Sequence, residues 1–228
     1  MNEIIVFSLG GSVINPGVID SLFLQQFADL IREEVQAGKR FVIVTGGGKV
    51  ARDYIHALPK NATEASKDVV GILSTWLNAQ LLSYYLAGLC PTINYPKTFN
   101  EIVNELTLYP VVCSGGLVPG IKTDEDAAIF TDYFHASWLI NVTNVDGVYD
   151  KDPNIYPDAR KYAKLTYGEF YKLLGDTSFN AGIHAPFTLM AAHIAERDRA
   201  KIVVVSKDLV SIKRAIKGEA VGTVIVPE

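Results

Sequence analysis

The chain has 228 residues, 49% hydrophobic and 20% charged, enough to bury one large core. Its formal net charge of −4 argues against a nucleic-acid binder working through a basic surface. No apolar run approaches the roughly 20 residues that span a bilayer, so neither nucleic acid nor a membrane is an expected partner.

The start, MNEIIVFSLGG, has no basic segment and no cleavage site, so no signal peptide is expected and the cytoplasm is the expected location. Cys90 and Cys113 form neither a C-x-x-C motif nor a disulfide framework. His56, His135, His184 and His193 show no ligand spacing, and no metal-binding residue is predicted.

Ile4 to Leu9 reads as a buried strand, ended by Gly10, Gly11 and Ser12. Ile19 to Ala37 has apolar residues at helical spacing and stops at Gly38. Phe41 to Val44 is a β-branched run that breaks at Gly46, Gly47 and Gly48, with a helical pattern behind it. Residues 61–67 read as a polar loop, and Asp68 opens a long helix reaching Gly88. Thr98 with Glu101 is a capping-box pair. Pro110 to Cys113 is a strand, followed by the loop SGGLVPGIKT and a helix capped by Thr123 or Asp124 and running to about Ala136.

Trp138 to Thr143 is strand-like and runs into NVDGVYDKDP. Thr166 with Glu169 is a second capping box, and Gly182 to Asp198 is helical in pattern, with Pro186 in its first turn. Ile202 to Val205 is a strand, Asp208 to Lys217 a helix and Thr223 to Val226 a closing strand. Strands alternating with helices predict an α/β fold whose largely parallel sheet is covered on both faces. The domain is expected as 1–228, with lobes 1–140 and 141–228 sharing one sheet.

Four loops follow strands, and in a parallel sheet such loops gather at one edge. Three glycines in a row let a backbone approach a ligand closely. A helix starting there presents free N–H groups and the positive end of its dipole to an anion. Lys49 and Arg52 lie three apart, on one helix face, and add two cations. GGGKVAR is neither a Walker A loop nor the G-x-G-x-x-G fingerprint. Thr123 and the backbone of GGLVPGIKTD suit a second ligand, while Asp146, Tyr149 and Asp152 could hold an adenosine.

The succession GGS, TGGGKVAR, DVVGILSTWLNA, SGGLVPGIKTD and TNVDGVYDKDP resembles the uridylate kinases of the amino acid kinase superfamily, most closely the archaeal type. The resemblance covers nearly the whole chain. It implies an αβα sandwich, transfer of the γ-phosphoryl of ATP to UMP with Mg²⁺, and a homohexamer. It implies that Ser8, Leu9, Gly10, Gly11, Ser12, Gly48 and Arg52 meet the ATP phosphates. Thr143, Asn144, Tyr149 and Asp152 would then hold the nucleoside end. Gly47 would meet the UMP phosphate and Asp68 the UMP sugar. Leu117, Val118, Pro119, Gly120, Ile121, Lys122 and Thr123 would wrap the acceptor nucleotide.

One departure stands out. Many members of the superfamily carry a lysine two residues before the first glycine pair, where this chain has Ser8. Lys49 is the nearest substitute among the motifs and is the expected catalytic cation. Asp68 has a plainer reading as a helix cap, and Tyr149 as a packing aromatic. Alternatives are another small-molecule phosphate kinase of the superfamily and a nucleotide-binding storage protein on the same fold. An isopentenyl phosphate kinase would carry a histidine shortly after the glycine triplet, where VAR stands, and an aspartokinase would open with K-F-G-G.

Overall fold

The computed structural model describes residues 3–92, 97–175 and 187–228. The run IIVFSL has no polar face, and it forms strand β1 (Ile4–Leu9), buried at every position after Ile4. A strand buried on both faces belongs inside a parallel sheet. β1 accordingly pairs in parallel with β2 (Arg40–Thr45) on one side and β4 (Trp138–Thr143) on the other. β3 (Val111–Ser114) joins β2, and β8 (Lys201–Ser206) joins β4, again in parallel. β9 (Thr223–Val226) lies antiparallel to β8, and β7 (Lys164–Thr166) closes the edge in parallel with β9. The order of this seven-stranded sheet is β3-β2-β1-β4-β8-β9-β7.

Helices cover the sheet to make an αβα sandwich. α2 (Ser21–Gln36) starts at Asp20, whose side chain accepts the Phe23 N–H at 3.0 Å. Phe27 of α2 meets Phe7 of β1 edge to face, with ring centroids 5.5 Å apart. Both rings are fully buried, worth roughly 1.5–3 kcal/mol each in apolar transfer alone. α6 (Thr123–Tyr133) packs on β1, β2, β4 and α8 (Leu189–Arg197), and α9 (Leu209–Ile216) rests on β8 and β4. α5 (Phe99–Leu108) opens with the expected capping box at Thr98, and α7 (Tyr167–Gly175) with that between Thr166 and Glu169.

Several local expectations are overturned. Residues 61–67 are not all loop, because Thr63 caps α4 (Glu64–Tyr85) by accepting the Ser66 N–H at 3.1 Å. Glu64 sits in the first turn, where a carboxylate suits the helix dipole, and it pairs with Lys67 at 2.6 Å. Asp68 therefore lies in the second turn of α4 rather than at its start. Lys122, not Thr123 or Asp124, is the residue before α6, and its N–H bonds the Glu125 carboxylate at 2.9 Å. The stretch expected as one loop after β4 contains β5 (Val148–Tyr149), paired antiparallel with β6 (Lys161–Tyr162). Of the helix expected over Gly182 to Asp198, residues 182–186 lie outside the described residues, and α8 spans Leu189–Arg197.

Candidate active site

The site begins where β1 and β2 end together. Gly10 and Gly11 lead into the short α1 (Gly11–Ile14), and the glycine triplet leads into α3 (Gly48–His56). The two turns touch through their main chains. A Cβ at Gly11 would stand 2.0 Å from Gly48 N and 2.6 Å from the Gly46 carbonyl carbon. Gly48 itself has a φ of +64°, which a side chain would strain. The glycines thus serve loop-on-loop packing. Asn78 of α4 holds the arrangement by donating to the Gly46 carbonyl at 2.7 Å.

Two cavities open beside these turns. One, of about 290 Å³, lies between α3, α4 and the 115–123 loop, with Gly47, Asp68, Gly71, Thr75 and Ile121 in its wall. The other, of about 310 Å³, lies over the ends of β1 and β4, against Ser8, Gly10, Gly11, Ser12, Thr143 and Asn144. Lys122, Thr123 and Asp124 line both. The start of α6 is therefore where the two cavities adjoin, and the positive end of a helix dipole favours negative charge there.

The 115–123 loop is held from two helices. Thr75 Oγ1 accepts the Gly116 N–H at 2.7 Å, and Trp76 Nε1 donates to the Gly116 carbonyl at 2.8 Å. Asp68 Oδ2 accepts the Gly120 N–H at 2.9 Å, and Asp126 accepts that of Leu117 at 3.2 Å. α8 braces the carboxylates at the head of α6. The Thr188 N–H donates to Asp124 at 2.7 Å, and its hydroxyl donates to Glu125 at 3.0 Å. Burial pushes the carboxyl of Asp124 up from its ordinary range, and burial pushes that of Asp126 up to about 7. Among the described residues, no group of three or more His, Cys, Asp or Glu is placed to hold a metal ion.

Of the residues expected for the ATP side, Ser8, Gly10, Gly11, Ser12, Thr143 and Asn144 come together in the second cavity. Leu9 is buried in the core, and Gly48 and Arg52 line neither cavity. Tyr149 and Asp152 also stand outside both. Tyr149 donates its hydroxyl to Asp146 at 2.5 Å, a bond that holds its pKa up at about 12, and Asp146 pairs with Lys161 at 2.8 Å. Asp152 closes its own turn by accepting the Asn154 N–H at 2.9 Å.

On the acceptor side, Gly47, Asp68, Ile121, Lys122 and Thr123 line the first cavity, while Leu117, Val118, Pro119 and Gly120 do not. Lys49 lines neither cavity. Its Nζ lies 2.5 Å from Asp53 Oδ2, one helical turn away on α3, with both side chains about half exposed. Sequence reasoning passed over Asp124 except as a helix cap. The run Asp124, Glu125, Asp126 was the available signal, because the structure half-buries the first and buries the other two, which acids tolerate only where something holds them. Thr188 offered none, since only the packing of α8 on α6 brings it to the site.

A family model described as the amino acid kinase family matches residues 3–206. A uridylate kinase of Thermoplasma volcanium is 43% identical over 220 residues, or 96% of this chain and 95% of that protein. A crystal structure of a uridylate kinase from Archaeoglobus fulgidus superposes with a TM-score of 0.84 at 38% identity, covering 97% of this chain and 99% of that one. The structure of a UMP kinase from Bacillus anthracis shares the fold, with a TM-score of 0.76 at 21% identity over 99% of this chain and 96% of that one.

Proposed function

Because the chain belongs to the amino acid kinase family, we propose that it transfers the γ-phosphoryl of ATP to UMP, giving UDP and ADP. The observation that carries the reading is the pair of cavities meeting at Lys122, Thr123 and Asp124. Two nucleotides must approach phosphate to phosphate for an in-line transfer, and two adjoining cavities supply that arrangement. The relatives named as uridylate kinases match over nearly their whole length, which favours UMP as the acceptor.

In this reading the second cavity takes MgATP. The glycines after β1 approach its phosphates with main-chain N–H groups, and Thr143 and Asn144 face its nucleoside. The first cavity takes UMP, with Gly47 at its phosphate and Asp68 at its sugar. For Leu9, Gly48, Arg52, Tyr149, Asp152 and residues 117–120 the ligand assignment rests on the motif resemblance. Mg²⁺ enters as part of the donor and spreads the charge of its phosphates, in keeping with a transfer that needs positioning and neutralisation more than a covalent group. Residues 1–140 then form the acceptor lobe and 141–228 the lobe for the ATP nucleoside, with the cytoplasm as the compartment.

A homohexamer is the proposed assembly. It is supported by an exposed apolar row on α3 and α4, where Tyr54, Leu73 and Leu77 are 66%, 49% and 60% exposed. Light scattering on the eluting protein tests it. The activity itself is tested by coupled ADP release with ATP, Mg²⁺ and, in turn, UMP, CMP, dTMP, aspartate and isopentenyl phosphate. ADP release that depends on UMP is expected. Turnover with another acceptor and none with UMP overturns the reading.

A further inference from the structure

Resting on the uridylate kinase reading, we propose that Lys122 supplies the cation that neutralises the phosphoryl group in transit between the two nucleotides. Ser8, at the end of β1, lines the donor cavity but carries no charge. Lys49 is paired with Asp53 and lines neither cavity. Among the described residues, Lys122 is the only Lys or Arg in the wall of the donor cavity. The acceptor cavity has Lys67 as well, and that ammonium is paired with Glu64 at 2.6 Å. Lys122 is therefore the one cation common to both walls among those residues.

Its main chain is fixed while its side chain is exposed. The Lys122 N–H bonds Glu125 at 2.9 Å, and Glu125 is in turn held by Thr188. The Lys122 charge is close enough to Asp124 to oppose the rise that burial imposes on that carboxyl. A flexible four-carbon stem on a fixed base lets the ammonium follow a moving phosphoryl group.

In the transfer, an oxygen of the UMP phosphate forms a bond to the γ-phosphorus. The bond from that phosphorus to the β–γ bridging oxygen breaks, and ADP leaves with the oxygen. Lys122 keeps its proton throughout and acts by charge alone, most strongly where the transferring oxygens carry most of it.

The test measures kcat and both KM values for the wild type, Lys122→Met, Lys122→Cys and Lys49→Met, with calorimetric binding of UMP alongside. Lys122→Met is expected to lower kcat about 10²-fold while UMP affinity changes less than about fivefold, the size of effect that follows loss of one transition-state donor. Aminoethylation of Lys122→Cys rebuilds an ammonium of nearly the same reach and is expected to restore most of the rate. Cys90 and Cys113 are buried, and the wild type treated in the same way is the control. Lys49→Met is expected to lose less than Lys122→Met.

A kcat within about twofold of wild type in Lys122→Met overturns the proposal. So does a larger loss in Lys49→Met, or a Lys122→Cys variant that aminoethylation leaves inactive. A wild type that turns over none of the UMP offered defeats the uridylate kinase reading itself, an outcome distinct from these.

Discussion

Asp68, in the second turn of α4, accepts the N–H of Gly120 at 2.9 Å and so ties the 115–123 loop to a helix fifty-two residues earlier in the chain. The same carboxylate lies in the wall of the acceptor cavity. A carboxylate can accept a ligand hydroxyl together with such a backbone donor.

Asp68→Ala is expected to raise KM for UMP by about tenfold or more, the weight of one charged hydrogen bond, while KM for ATP moves less than about twofold. Asp68→Asn keeps an acceptor for Gly120 and is expected to fall between. Steady-state kinetics with each nucleotide varied in turn decide it. An unchanged KM for UMP in the alanine variant removes Asp68 from the acceptor site.

Gly11→Ala is expected to destabilise the protein by about 3 kcal/mol and to abolish turnover, because backbone has no room to yield to a methyl group. The built Cβ stands 2.0 Å from Gly48 N, whereas one at Gly17 meets nothing within 4 Å. Gly17→Ala is the matched control and is expected to be near neutral. Urea unfolding of both variants reads the difference, and equal midpoints would show that the two glycine turns separate freely.

Asp126 gives a pH dependence whose sign is determined. Burial is the largest cause of its rise to about 7, with Glu125 and Asp124 adding to it and the Leu117 N–H opposing. The native state therefore holds a proton that the unfolded chain has released between about pH 4 and 7, and stability falls as pH rises through that window. Between pH 5 and 8 the loss from this one group is about 2–3 kcal/mol. Asp126→Asn cannot ionise and is expected to flatten that part of the slope, read by urea unfolding at pH 5 and pH 8. Parallel slopes for wild type and variant would count against a protonated Asp126.

UMP is expected to be preferred over CMP by about 10²-fold or more in kcat/KM. Uracil and cytosine differ at a ring nitrogen and an exocyclic group, so a fixed main-chain pattern that satisfies one leaves polar groups unpaired against the other. The loop that would read them is held at Gly116 by Thr75 and at Gly120 by Asp68. Comparable kcat/KM values for the two nucleotides would show that this loop does not read the base.

By itself the sequence determined most of the elements and the largely parallel character of the sheet, but not the short strands β5, β6 and β7 or the antiparallel placing of β9. Buried strands announce themselves as unbroken apolar runs such as IIVFSL, and Thr98 with Glu101 or Thr166 with Glu169 announce helix starts, because both signals are local. The glycine turns after β1 and β2 were legible for the same reason, and so was their place at one edge of a parallel sheet. The start of α4 was misjudged because residues 61–67 are polar all round, and the cap at Thr63 with the Glu64–Lys67 pair outweighs a missing apolar face. Only the tertiary structure decided which charges face the cleft. Lys49 stands beside the glycine triplet in the chain, yet α3 turns it toward Asp53, while Lys122 lines both cavities from the head of α6. Asp124 and Thr188 are 64 residues apart in the chain and meet only because α8 packs on α6. Side-chain direction depends on helix phase and on the partners that the other elements bring. A lysine's neighbours in sequence therefore leave open whether its charge meets a phosphate, a carboxylate or water.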